Sequence, residues 1–308
     1  MRPGGGRSLP AAEVLTARTR PRPRTAAGHG TKARVQGLLL AVPAVLLVAF
    51  VVVGGSAMVA AQSLGLMPLV GRPELSTAAY TAHGGDLLVG VGLSLAIAGA
   101  STVLACLIGF AAALIMMQGR WCGKLVAAMS SLSIPVPHIV GAATAGLLLA
   151  DSGLLARVFG AAERWPDVVG GQWWLAVIFE YAWKESAFVG LVVAGTLATR
   201  SVDYEETAAL LGAGRLGRLR HVLLPLSLPA LIISGTIAFI YSFGSYEVAW
   251  LLGRPYPEPL PVMALRLYNS VTLTARPEAA AVAVVTAVVS LGAALVALAC
   301  LRKIPLWR

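Results

Sequence analysis

Charge is scarce in this sequence. Of 308 residues only 12% are charged and 57% are hydrophobic, with mean hydropathy +0.79. A soluble domain carries about 25% charged residues. There is too little polar material here to cover the surface of a soluble chain of this length, which excludes a soluble enzyme and equally a disordered or collagen-like chain. Cysteine and histidine are rarer still, at 3 and 4 residues. Cys106, Cys122 and Cys300 offer no disulfide or metal spacing, and the scattered histidines offer no ligand set, so neither a metal nor a cofactor is expected. Catalytic signatures are missing too. No G-x-S-x-G or H-E-x-x-H occurs. Gly123-Lys124 is the nearest approach to a nucleotide-binding P-loop, but Gln118 stands at the first glycine position and Leu125 follows the lysine.

Long apolar runs fill the space left by these absences. A membrane span needs about 20 mainly apolar residues. Six candidates meet this: Val35–Ala61, Leu87–Met117, Leu125–Ala150, Trp173–Leu197, Leu226–Leu252 and Ala279–Leu301. The fourth is interrupted by Glu180, Lys184 and Glu185, and the fifth contains Glu247. The sequence is therefore expected to be an all-α polytopic membrane protein with both termini on one side.

The excess of positive charge then becomes an orientation signal rather than a hint of nucleic acid. Seventeen of the 24 Lys and Arg residues fall on the side holding both termini, and six on the other. Excess Lys and Arg marks the cytoplasmic side, so both termini are expected inside. Residues 1–34 form a basic tail rich in Pro, Gly and Arg, read as disordered and as fixing topology, with anionic lipid headgroups a second possible role. The first span is too long for a signal-peptide core and shows no cleavage signature, so it is read as a retained anchor. Residues 35–302 are the six-span domain, and 303–308 a cytoplasmic end.

The most informative loop is Ser201–Pro229, SVDYEETAALLGAGRLGRLRHVLLPLSLP. Asp203 followed by Glu206 resembles a capping box, and Glu205 and Glu206 suit the positive end of a helix dipole. Gly212 and Gly214 are expected to end this helix through positive φ. A second short helix would carry Arg215, Arg218 and Arg220 until Pro225 and Pro229 break it. The result is a helix–turn–helix bracket. Reading it as a DNA-binding motif fails, because the flanking spans would pin it to the bilayer. An ordinary topology-fixing loop is the other alternative.

Glu206, Thr207 and Ala208, then Gly212, then Val222, Leu224 and Pro225 nine residues later, resemble the EAA loop of permease subunits of bacterial binding-protein-dependent ABC importers. Thr207 and Val222 depart from the usual Ala and Ile at unchanged spacing. The resemblance extends over roughly residues 87–301. It includes Ser133-Ile-Pro-Val-Pro-His138, Trp183-Lys184, Phe243-Gly-Ser-Tyr-Glu-Val248, Leu251-Leu-Gly253 and Leu260-Pro-Val262, and looks most like the spermidine/putrescine branch. It implies a type I importer permease fold and a coupling loop at 198–225. Within that loop Glu205, Glu206, Thr207, Ala208, Gly212, Val222, Leu224 and Pro225 would grip a separate ATPase. It further implies a second permease subunit, identical or different, and an extracytoplasmic solute-binding protein. The chain would be a transporter subunit in the bacterial plasma membrane, not an enzyme, with no nucleic-acid partner.

Charged residues at membrane depth ask for a partner or a function. Glu180 and Lys184 stand at i and i+4, and pairing with each other is the expected arrangement. Glu185 would face elsewhere. Phe243, Glu247 and Trp250 fall on one face if the helix is continuous, with Tyr246 beside them. An acid among aromatics suits an amine. Glu180, Trp183, Lys184, Phe243, Tyr246, Glu247 and Trp250 are thus the candidate solute path, and a polyamine the candidate solute. Pairing of Glu247 with a cation on another helix is the alternative. Another small solute (a sugar, amino acid derivative, phosphonate or anion), or an ion-coupled carrier, are the alternatives for the whole chain. Outside, Val262–Tyr268 is expected to form a short helix within the proline-rich segment Gly253–Pro277.

Overall fold

A computed structural model describes residues 29–199 and 201–303. Thirteen α-helices are seen among these residues, and no strand. They are α1 (His29–Ser63), α2 (Ala78–Thr81), α3 (Gly84–Met117), α4 (Trp121–Ser133), α5 (His138–Leu149), α6 (Leu154–Val158), α7 (Leu175–Ala198), α8 (Ser201–Leu210), α9 (Arg215–Arg218), α10 (Leu224–Gly244), α11 (Glu247–Leu252), α12 (Leu260–Tyr268) and α13 (Arg276–Lys303). The chain divides into two units, Met1–Gly55 and Ser56–Arg308. The described part of the first is a single stretch of α1. Residues 29–34, read above as tail, are helical, while 1–28 and 304–308 lie outside the described residues.

Among the described residues, five stretches are long and apolar enough to cross a membrane: Leu39–Ser63, Gly84–Met117, His138–Val158, Arg215–Gly244 and Leu273–Lys303. The expected fourth span, now α7, falls outside this set because of its three charges. Those charges are all buried, so they face protein.

In the second unit α3 and α7 form the central pair. The buried positions of α3 are Gly90, Ser94, Ile97, Ala98, Ser101, Ala105, Gly109 and Ala113. Steps of three and four put these small residues on one stripe, and small stripes let helix backbones approach in a membrane, where hydrophobicity alone does not drive them together. At Gly109 a Cβ would lie 2.8 Å from the Val189 Cβ and 2.9 Å from the Ser186 carbonyl oxygen. α10 packs on the same pair. Leu226 and Ala230 join Ala113, Val189, Val193 and Leu197 in one cluster near the bracket.

Two expected spans are broken. The third divides into α4 and α5 at Ile134–Pro137, where Pro135 and Pro137 withhold backbone donors. The fifth divides into α10 and α11 at Ser245–Tyr246, with Ser245 extended at ψ 133°. Conversely, the break expected at Pro225 and Pro229 does not occur. α9 runs into α10 through a π-helical turn, Leu219–Leu223, closed by the Leu224 N–H donating to the Leu219 carbonyl. The wide turn shifts the hydrogen-bond register where the Pro225 ring would otherwise meet the carbonyl four residues back. Pro225 then sits in the first turn of α10, where a missing N–H costs nothing.

The outer segment is tied down by polar contacts. The Leu260 N–H donates to Ser94 Oγ at 2.8 Å, and the Arg266 guanidinium grips Glu258 Oε1 from Nε at 2.8 Å and from Nη2. The Tyr256 hydroxyl donates to Asp86 Oδ1 at 3.0 Å, and this carboxylate pushes the Tyr256 pKa up. The expected outer helix is present as α12, beginning at Leu260, two residues earlier than read from the sequence.

Candidate functional site

The first candidate site is the bracket formed by α8, α9 and the π turn. α8 ends in a Schellman closure. Gly212 takes φ +81°, its N–H donates to the Ala209 carbonyl at 3.0 Å, and the Ala213 N–H reaches back to Ala208 at 2.9 Å. Such a left-handed position favours glycine because a Cβ would crowd the following carbonyl. Gly214 does not share this role. It is extended (φ −67°, ψ 174°) and leads into α9. α8 already starts at Ser201, so Asp203 lies inside it; its side chain is outside the described residues.

The bracket displays apolar groups. Leu210, Leu211 and Leu216 are 89%, 83% and 76% exposed, and Tyr204 is exposed beside them. Glu206 and Thr207 are exposed, while Glu205, Ala208 and Val222 are half-buried. Leu224 and Pro225 are exposed at the start of α10. Below the bracket, a cavity of about 760 Å³ opens between the end of α3 and α8–α9, lined by Arg120, Glu205, Arg215 and Arg218 among others.

The second candidate site is a polar cluster at the α4–α5 break. Lys184 is 5% exposed, and its Nζ donates to the carbonyls of Ser133 at 2.5 Å and Val136 at 2.6 Å. At Ser133 the helical donor is replaced by a long bond from the Val136 N–H at 3.3 Å, which leaves this carbonyl room for the ammonium. Pro137, four residues after Ser133, has no N–H to give it. The expected Glu180–Lys184 pair is therefore not formed. Glu180, fully buried, instead faces His138, with Nδ1 at 3.3 Å from Oε1 and 3.4 Å from Oε2. Glu185 does not face elsewhere either. Its Oε1 lies 3.6 Å from His138 Nε2, so one imidazole bridges two carboxylates. The His138 ring packs on Tyr241 at 4.4 Å, and a Cβ at Gly141 would come within 2.7 Å of Glu180 Oε1.

The remaining path candidates separate. Phe243 is 1% exposed and packs in the core with Ala98, Leu260 and Met263. Trp183 turns toward an apolar groove with Leu104, Ile108 and Phe179. Because α10 stops at Gly244, Phe243, Glu247 and Trp250 do not share one helical face. Glu247 opens α11, half-buried, and has no ion pair among the described residues. Trp250 is 63% exposed. Tyr246 lines a cavity of about 500 Å³ with Tyr268 and Arg276, whose guanidinium lies 4.0 Å over the Tyr268 ring. The Tyr181 hydroxyl donates to the Ser245 carbonyl at 3.3 Å, bridging the second break to α7. From the sequence, His138 stands only as the end of the Ser133–His138 stretch and is missed as the hub. The signal was there, in a histidine directly after two prolines and a second helix carrying two acids.

Comparison with known proteins fits this geometry. Residues 105–301 match the family described as the binding-protein-dependent transport system inner membrane component. Over 184 residues the chain is 29% identical to the sulfate transport system permease protein CysT of Salmonella typhimurium, covering 59% of this chain and 65% of the relative. It is 28% identical over 199 residues to the putrescine transport system permease protein PotI of Escherichia coli, covering 64% and 66%. It is 30% identical over 157 residues to the molybdenum transport system permease protein ModB of Mycobacterium tuberculosis, covering 50% and 57%. The chain thus spans less than two thirds of each of these relatives. Among solved structures, a chain of a bacterial ABC transporter involved in import of the acidic polysaccharide alginate shares the fold, with TM-score 0.69 at 17% identity, covering 89% of this chain and 98% of that one.

Proposed function

Since the chain belongs to the family of binding-protein-dependent transport system inner membrane components, we propose that it is the permease subunit of an ATP-driven importer, forming half of a solute pathway with a second permease. It carries six spans, α7 being the fourth, and both termini are cytoplasmic. The bracket docks on a cytoplasmic ATPase, and a solute-binding protein delivers solute on the other side. The chain itself performs no hydrolysis.

The observation that carries this reading is the exposed leucine edge of the bracket. Three leucines more than three-quarters exposed, on a loop bounded by arginines, are an apolar patch in need of a partner. Docking would cover them, while Gly212 fixes the angle between α8 and α9. ATP-driven closure of the ATPases would then move the bracket and switch the paired permeases between inward- and outward-facing states.

Co-purification tests this directly. Gly212→Asp puts a side chain on a left-handed residue, and Glu206→Lys reverses a charge on the exposed face. Each is expected to reduce recovery of the ATPase with the tagged permease at least tenfold, at unchanged permease yield. Wild-type recovery with both variants would refute the docking role.

The solute reading is a polyamine. Glu247, unpaired at a helix break and near tyrosines, supports an amine, and the similarity to a putrescine permease is in keeping with it. The sulfate and molybdenum relatives favour an oxyanion instead, but an unpaired carboxylate at the break would repel one. Glu247→Gln is expected to lower putrescine uptake about tenfold without altering ATPase recovery. Uptake equal to wild type, or a cognate binding protein that takes up sulfate and no amine, would overturn the polyamine assignment.

A further inference from the structure

We propose that the recess between the end of α3 and the bracket is a binding site for a phosphate group carried on an apolar tail, the headgroup of an anionic membrane lipid. Arg120, Arg215 and Arg218 all line this cavity of about 760 Å³, and Glu205 is the one acid among its described lining residues. None of the four is in an ion pair among the described residues. Arg218 Nε is moreover a buried donor without an acceptor among the described residues. Leaving such a donor unsatisfied is costly, and a phosphate oxygen is the acceptor that matches a guanidinium fork.

The other wall of the recess is apolar. Leu114 and Met117, from the last turns of α3, line it. A bare phosphate ion would satisfy the arginines and leave this wall and most of the volume uncovered. A lipid satisfies both, with its headgroup on the guanidinium groups and its first methylenes along α3. The position suits that ligand. α3 leaves its apolar stretch at Met117, and the chain turns at Gly119 (φ +62°) into Arg120, the residue that precedes α4. This is the depth at which headgroups lie. The orientation proposed above enters only in naming the leaflet: on the cytoplasmic side a negative surface potential raises the local concentration of anionic lipid. Occupancy would tie the end of α3 to α9 and so steady the bracket from beneath.

The test uses the full-length chain, purified without its ATPase in neutral detergent, with lipid retention followed by native mass spectrometry. Phosphatidylglycerol is expected to be held at least tenfold more tightly than phosphatidylcholine. Arg120→Gln/Arg218→Gln is expected to abolish that preference. Lys124→Gln, which removes a nearby cation outside the recess, is expected to keep it. Competition by millimolar inorganic phosphate would assign the same site to a soluble phosphate compound, and failure to compete assigns it to lipid. Equal retention of the two lipids, or a full preference in the double variant, would overturn the site. The comparison of lipids on the wild-type chain decides the matter even if the double variant does not fold. Because no ATPase is present, failure of the docking reading would leave this result unchanged.

Discussion

Replacing Lys184 with methionine is expected to lower the apparent melting temperature of the purified chain by on the order of 10 °C, with a matching fall in monodisperse yield. Lys184 carries out two tasks at once. Its Nζ supplies donors to the Ser133 and Val136 carbonyls, and its charge offsets Glu180 and Glu185 on the same buried helix. Methionine fills the same length but does neither. Removing one member of a buried charged group typically costs about 3–5 kcal/mol, because the partners left behind remain buried and uncompensated. The double variant Lys184→Met/Glu180→Gln removes one of the stranded carboxylates and is expected to recover part of the loss, since contacting residues in one network are not additive. A melting temperature within 2 °C of wild type for the single variant would show that α4, α5 and α7 hold together without this cluster.

A comparable loss is expected from Gly109→Leu. The side chain would begin 2.8 Å from Val189 Cβ and 2.9 Å from the Ser186 carbonyl, and one of those neighbours is backbone. A flexible side chain can step aside, but the carbonyl of a buried helix cannot. α3 and α7 must therefore separate along their crossing, and the cost is about 3 kcal/mol or more, at the upper end for overpacked cores. Gly99→Leu provides the control, since a Cβ there meets nothing within 4 Å. Thermal unfolding of both variants in detergent should show a large drop for position 109 and little for position 99. Equal behaviour would mean that the α3–α7 crossing is loose enough to accommodate either.

Much of this architecture was legible in the sequence because hydropathy over 20 residues is a local property. The runs that became α1, α3, α10 and α13 stand out by apolar length alone, and at the first break the local cause, Pro135 with Pro137, is present in the sequence. Gly212 was legible for a similar reason, since a helix-ending glycine needs only its own φ. What could not be read was decided by contacts distant in sequence. Glu180 and Lys184 have the spacing of a pair, but His138 lies 42 residues from Glu180, and the carbonyls that claim Lys184 lie 48 and 51 residues away. The break at Ser245 carries no proline and was read as continuous helix, which put Phe243 and Glu247 on one face that does not exist. At Pro225 the opposite error arose. A proline that ordinarily ends a helix is absorbed by one widened turn, and no local residue pattern announces that turn.

That widened turn has a mechanical consequence. Because α9, the π turn and α10 form one uninterrupted rod of 30 residues, Arg215–Gly244, a load taken up at the bracket is not lost in a flexible joint at the membrane surface. It is carried as a rigid displacement over about 45 Å, at 1.5 Å of rise per residue. The rod behaves as a lever arm, with its packing against α3 and α7 as the fulcrum and its far end at Ser245. Pro229 removes one backbone hydrogen bond inside it, and its helical course ends beside Tyr246 and Glu247, so a tilt applied at the bracket end reaches the second break.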